Sequence, residues 1–161
     1  MANVELALRP LAIRLKTLKR VKGSKYHKIT LRAMDIFGTV TDLRDYLLKT
    51  SEWRDWKEGL YLQMSFIAPP FRARLERIVE DIDTTVREHV KAEFTDVFSR
   101  KAPRVYPVYI KVLHFLIDNP EYLTLYERSP MEAYRVIAKE LNISWRSVRD
   151  SFWAMRGAGI V

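Results

Sequence analysis

The chain has 161 residues, of which 48% are hydrophobic and 30% charged, with a formal net charge of +8 and no cysteine. This size and apolar content exclude intrinsic disorder and predict one domain or two small ones. The lack of cysteine excludes disulfides, thiolate zinc sites and cysteine nucleophiles. There is no run of about 20 apolar residues, so we expect no membrane insertion. Charged side chains interrupt the early apolar positions, which argues against a secretory signal and for a cytoplasmic protein.

The basic charge is concentrated at the N-terminus. Residues 1–32 hold nine Lys and Arg side chains against one acid, Glu5, which accounts for the whole net charge of +8. Apolar residues recur there at helical spacing, and Gly23 and Ser24 are expected to end the helix. Residues 1–28 are therefore predicted to form a basic amphipathic arm. The apolar positions are Leu8, Leu11, Leu15, Leu18 and Val21.

Such an arm is typical of a segment that binds a polyanion. Three interpretations stay open: contact with nucleic acid, contact with a membrane surface or an acidic protein, and a surface helix whose leucines join the core. In the first two, the contacts would come from the cationic side chains of the arm. These are Arg14, Lys16, Lys19, Arg20, Lys22, Lys25 and Lys28.

Residues 29–104 are predicted to be helical. Residues 29–49 suggest two short helices broken near Gly38, with Thr41 capping the second. Ser51 suggests another capped turn, and Gly59 allows a short strand over residues 60–67. The dipeptide Pro69-Pro70 is the clearest break in the chain.

Residues 71–98 contain no glycine or proline and predict one long helix. Apolar residues along it step by three or four positions and form a stripe. Two interpretations of this stripe stay open: a spine covered by the rest of the chain, and the seam of a homodimer. The stripe consists of Leu75, Val79, Ile82, Val86, Val90, Phe94 and Val97.

The last third predicts a helix, a tight turn and a second helix. Ser129 and Glu132 have the spacing of a capping box, and residues 142–144 form the turn, with Ser144 able to cap the next helix. An apolar helix over residues 107–118 precedes the pair. The inward positions of the second helix are expected to be Val148, Phe152 and Met155.

Residues 105–161 resemble the helix-turn-helix of winged-helix DNA-binding proteins. The resemblance implies a three-helix domain in which the second helix of the pair contacts duplex DNA and residues 159–161 lead into the first wing strand. No residues for the two wing strands follow Val161 in this sequence, so two interpretations stay open: the domain lacks a full wing, or the wing has been truncated. The overall expectation is an all-α fold: an N-terminal helical region with a long central helix, then this domain.

The expected DNA contacts lie outside the buried positions of this pair. Arg146 and Arg149 are candidates for major-groove or phosphate contacts, and the serines near the helix N-terminus suit phosphate oxygens. The two tryptophans could pack under a partner or stack on DNA. The full set is Ser144, Trp145, Arg146, Ser147, Arg149 and Trp153, together with Arg135 and Lys139 of the preceding helix, which would contact the DNA backbone.

No pattern in the sequence indicates catalysis. His27, His89 and His114 are far apart and have no partner at a metal-ligand spacing, and no glycine loop for phosphates is present. We therefore expect no enzyme activity, cofactor, metal or small-molecule substrate.

The function predicted is binding to double-stranded DNA, as a transcriptional regulator or a nucleoid- or replication-associated factor. The alternative is a structural or assembly protein whose winged-helix-like domain mediates protein contacts and whose arm binds nucleic acid without sequence specificity.

Overall fold

The structure, a computed structural model, describes the backbone of residues 1–16 and 21–161 and the side chains of residues 1–15 and 26–161. The described residues form eight helices and two strands of two residues each, so the expectation of an all-α protein is confirmed for them. The strands β1 (Ala2–Asn3) and β2 (Thr39–Val40) pair with each other. In these ranges none of the helices combines the length and the apolar character that crossing a membrane requires.

The chain divides into two compact units, each assembled from separate parts of the sequence. One unit comprises Asn3–Thr39 and Leu48–His89. The other comprises Met1–Ala2, Val40–Leu47 and Val90–Val161. Both units therefore combine distant segments, whereas the sequence suggested three consecutive regions, 1–28, 29–104 and 105–161.

Helices α1 (Val4–Lys16) and α2 (Val21–Phe37) pack together in the first unit. Asn3 caps α1, since its side-chain oxygen accepts a hydrogen bond from the N–H of Leu6 at 3.0 Å. Gly23 and Ser24 lie inside α2, so the prediction that they end a helix is wrong. Packing outweighs the roughly 1 kcal/mol by which a helical glycine is disfavoured. The buried residues of α2 include Tyr26, Ile29 and Ala33.

The break predicted near Gly38 is confirmed, because α2 ends at Phe37 and Gly38 has a φ of +49°. The next helix, α3 (Leu43–Met64), is longer than expected and passes through both Ser51 and Gly59. The short strand that Gly59 allowed over residues 60–67 is therefore not formed. The cap is also one residue later than predicted. The carboxylate of Asp42, not Thr41, accepts the N–H of Asp45 at 2.8 Å.

The long helix is confirmed as α4 (Pro69–Lys101). It begins at the two prolines expected to separate elements, because a proline at the start of a helix gives up no intrahelical hydrogen bond. All seven stripe residues are buried within the single chain, with exposures from 0% to 8%. They are core residues, which agrees with the interpretation of the stripe as a spine. The other interpretation, that these side chains form the seam of a homodimer, is wrong.

The C-terminal region has four helices where the sequence predicted three: α5 (Pro107–Asp118), α6 (Glu121–Arg128), α7 (Pro130–Leu141) and α8 (Trp145–Gly157). Only α6 was not anticipated, because eight residues are too few to show a clear helical period. Helix α8 packs against α5 and α7, and α6 packs against α7. Aromatic rings fill the centre, with Tyr126 stacked on Phe152 at 4.2 Å and Tyr134 5.7 Å from Phe152.

Residues 159–161 form no strand, so the expected lead into a wing is not seen. Gly159 has a φ of +75°, and the N–H of Ile160 donates to the carbonyl of Met155 at 2.9 Å. The N–H of Gly159 donates to the carbonyl of Arg156 at 3.1 Å, which completes a Schellman motif. The carbonyl of Ile160 then accepts the N–H of Leu43 at 2.9 Å. The chain thus turns back into the core of this unit after α8.

Candidate nucleic-acid interface

The turn between α7 and α8 has the predicted geometry. Asn142 adopts a left-handed conformation, with φ 54° and ψ 50°, and the N–H of Ile143 donates to the carbonyl of Ala138 at 3.0 Å. Ser144 caps α8 by accepting the N–H of Ser147 at 3.1 Å. The capping box predicted for α7 is wrong, because the side chain of Ser129 makes no cap hydrogen bond.

Burial fixes which side of α8 faces solvent. Val148, Phe152 and Met155 are each 0% exposed, as predicted. Ser151 is buried beside them, and its hydroxyl donates to the carbonyl of Ser147 at 2.7 Å, so this polar side chain is satisfied inside the core. The opposite side of the helix is therefore held outward by its own packing.

The outward side carries a stack of one guanidinium and two indoles. The guanidinium carbon of Arg149 lies 5.3 Å from the ring centre of Trp145 and 4.6 Å from that of Trp153. The spacing of four residues on either side of Arg149 places both rings next to it on the helix surface. The carboxylate of Asp150 accepts a hydrogen bond from Nε of Arg149 at 3.1 Å. These contacts order the guanidinium before any partner binds.

Arg146 lies beside this stack, next to Trp145. It is exposed, lies 5.6 Å from the ring centre of Trp145, and forms no ion pair within the described part of the chain. We call Trp145, Arg146, Arg149 and Trp153 the α8 face.

The remaining C-terminal candidates do not belong to the α8 face. Ser144 and Ser147 lie at the start of α8, but their hydroxyl oxygens are 2.8 Å apart and hydrogen-bond to each other. Arg135 and Lys139 are exposed one turn apart on α7 and make no described contact with the α8 face.

The first part of the predicted arm is helix α1. Leu8, Leu11 and Leu15 are buried, so the apolar side of α1 belongs to the core of its own unit. Arg14 and Lys28 are exposed. Five cations and two apolar residues of the predicted arm have side chains outside the part that the structure describes. These are Lys16, Lys19, Arg20, Lys22 and Lys25, together with Leu18 and Val21.

A cleft that the sequence did not suggest opens beside the α8 face. It has a volume of about 600 Å³, and its lining includes Lys101, Arg104, Tyr106, Tyr109, Asp150 and Trp153. We call it the α8 cleft. The signal in the sequence is the run of cations and aromatic residues over positions 101–109. Its link to α8 could not be inferred, because only the packing of α5 on α8 brings these segments together.

The aromatic rings of the α8 cleft are held by other rings. Tyr106 meets Tyr109 edge to face at 5.2 Å, and Tyr109 stacks on Phe98 at 6.2 Å. Burial, reinforced by the neighbouring Asp150 carboxylate and Tyr106, raises the pKa of Tyr109 above its ordinary value of 10.0. Tyr109 therefore remains neutral near pH 7 and keeps its hydroxyl proton.

Within the described ranges, no group of three or more His, Asp or Glu side chains is arranged to hold a metal ion. Nε2 of His114 lies 3.0 Å from the hydroxyl oxygen of Thr95. No protein-family model, curated protein or solved structure matches the chain. Function must therefore be argued from the α8 face and its surroundings.

Proposed function

We propose that the chain is a DNA-binding protein that contacts duplex DNA through the α8 face and gains further affinity from the basic arm. The observation that carries this proposal is the stack of Arg149 between Trp145 and Trp153 on an outward helix side. A guanidinium held in place loses less conformational freedom on binding than a free one. The planar fork of donors on arginine suits guanine edges and phosphate oxygens.

The exposed cations around this stack have complementary roles. Arg146 has no competing ion pair in the described part of the chain and reaches base edges or phosphates. Arg135 and Lys139 contact the DNA backbone from α7, and the capped N-terminus of α8 favours a phosphate near Ser144 and Ser147. The arm adds contacts that do not depend on sequence. As a regulator or a nucleoid- or replication-associated factor, the protein acts by binding without catalysis.

An assembly protein is the second candidate, because a different surface favours it. Near the end of α3, Leu62 is 75% exposed and Phe66 is 93% exposed. Large apolar side chains exposed close together often mark protein contacts. In this case the C-terminal domain and this surface would bind other proteins, and the arm would bind nucleic acid without specificity.

Fluorescence anisotropy of the full chain with labelled DNA duplexes tests the first proposal. We expect Arg146→Ala and Arg149→Ala each to weaken duplex binding by about 1 to 3 kcal/mol. Arg128→Ala serves as the matched control, since it removes an exposed arginine of α6 outside the proposed interface. Equal affinity of all three variants, with their helical content unchanged by circular dichroism, would contradict the α8 face as the binding surface.

Duplexes selected from a random pool separate the two candidates. A regulator retains a large ratio of specific to non-specific affinity at physiological salt, whereas a packaging or assembly protein does not.

A further inference from the structure

The α8 cleft adjoins the α8 face directly, because Trp153 belongs to both. Its volume of about 600 Å³ lies within the range of pockets that hold small organic groups. A nucleic-acid strand bound along the α8 face would thus reach the cleft.

The charges around the cleft favour an anionic ligand. Lys101 and Arg104 are exposed at its rim, and neither forms an ion pair within the described part of the chain. The acid in the lining, Asp150, already accepts the guanidinium of Arg149 at 3.1 Å. Within the described residues these two cations have no acidic partner, so they attract a phosphate and repel a cationic ligand.

The aromatic side chains favour a flat ring as the other part of the ligand. Tyr106 is 47% exposed and Trp153 is 56% exposed, although large rings are costly to leave in water. Tyr106 is held edge to face against Tyr109, which fixes its orientation. Rings presented beside cations are the arrangement that proteins use to stack the bases of single-stranded nucleic acid.

We propose that the α8 cleft takes up an unpaired nucleotide of the bound DNA, with its base on Tyr106 and Trp153 and its phosphate near Arg104 and Lys101. This inference rests on the proposed function and deepens it, since it names the DNA substrate as one with an unpaired end or junction. A blunt duplex fills only the α8 face, whereas a duplex with a single-stranded overhang fills both surfaces.

The test compares the full chain on a short blunt duplex and on the same duplex with a single-stranded overhang that carries 2-aminopurine. We expect the overhang to raise affinity about tenfold, which corresponds to the stacking of one base. The 2-aminopurine fluorescence should fall on binding as the base stacks. Tyr106→Ala and Arg104→Gln should each lower the affinity for the overhang duplex more than the affinity for the blunt duplex, and so reduce the preference for the overhang. Tyr106→Phe, which keeps the ring, should retain the preference.

The outcomes separate this inference from the function on which it rests. Tight binding to the blunt duplex with no gain from the overhang overturns the α8 cleft as a nucleotide site and leaves the proposed function standing. Failure to bind either DNA overturns both. If Tyr106→Ala lowers the melting temperature, Arg104→Gln decides the matter, because the side chain of Arg104 is exposed and its loss opens no cavity.

Discussion

Among the described residues, Asn142 is the one non-glycine residue with a positive φ, at 54°. It lets α7 stop and α8 begin within three residues, because its N–H donates to the carbonyl of Lys139 while the next N–H donates to Ala138. A single backbone conformation thus sets the direction in which Arg146 and Arg149 point. Asparagine tolerates this conformation better than other residues with a side chain.

The stability of variants at Asn142 should depend on how well the new residue tolerates the left-handed conformation. We expect Asn142→Ala to lower the free energy of unfolding by about 1 kcal/mol, because alanine has a cost in the left-handed region that glycine avoids. Asn142→Gly should stay within a few tenths of a kcal/mol of the natural protein. Chemical denaturation of both variants measures the difference. Equal stabilities would show that this conformation does not limit the stability of the turn.

Among the helices, α1 and α4 use their apolar sides in the same way. Leu8, Leu11 and Leu15 of α1 and the seven stripe residues of α4 are all buried in the single chain. Helical periodicity identifies a side that must be covered, but it does not say whether the same chain or a second copy covers it. Here the same chain covers both helices.

Val86 tests this conclusion on α4. It is 2% exposed, so Val86→Glu would bury an uncompensated carboxylate and should lower the free energy of unfolding by several kcal/mol. Thr84→Glu is the matched control, because it adds the same charge two residues earlier at an exposed position. Thermal unfolding and light scattering measure stability and mass together. A change from dimer to monomer in Val86→Glu with an unchanged melting temperature would restore the dimer seam.

At the scale of the whole molecule, the segment that carries the net charge also contributes to the core. The first 32 residues account for the net charge of +8, yet the apolar side of α1 in the same segment is core. Deleting residues 1–28 would remove Leu8, Leu11 and Leu15 and destabilise the unit. Deletion would therefore not isolate the contribution of the arm to binding, whereas removing only its charges would.

Neutralising arm cations should alter the salt dependence of DNA binding. We expect the triple change of Lys19, Lys22 and Lys25 to Gln to make the slope of log K against log salt shallower by nearly one unit per lost contact, hence by up to about three. Preference among sequences should persist, because phosphates carry no sequence information.

The matched control for the arm changes Arg54, Arg74 and Arg77 to Gln. It removes the same charge from exposed positions outside the arm. Identical slopes for the two triple variants would show that the arm makes no phosphate contacts of its own and that total charge alone determines the salt dependence.

Helices that have a long stretch of apolar periodicity, or clear signals at their ends, were predictable from the sequence. Helix α5 has the predicted limits, α4 was recognised from its stripe, and the turn at residues 142–144 followed from the chemistry of asparagine and serine. The inward residues Val148, Phe152 and Met155 were predicted for the same reason. These features depend on neighbours within a few positions, so local sequence determines them.

Tertiary packing decided what local signals left open. Gly23 and Gly59 end no helix. Helix α2 continues through Gly23 to the buried Tyr26 and Ile29, and α3 continues through Gly59 to the buried Met64, so packing elsewhere along each helix outweighs the cost of a helical glycine. The stripe of α4 became core instead of a seam because the rest of the chain covers it. The α8 cleft joins positions 101–109 to Trp153 only because α5 packs on α8. The sequence by itself determined which side chains must be buried and where α8 starts, whereas contacts between residues far apart in sequence determined what covers them.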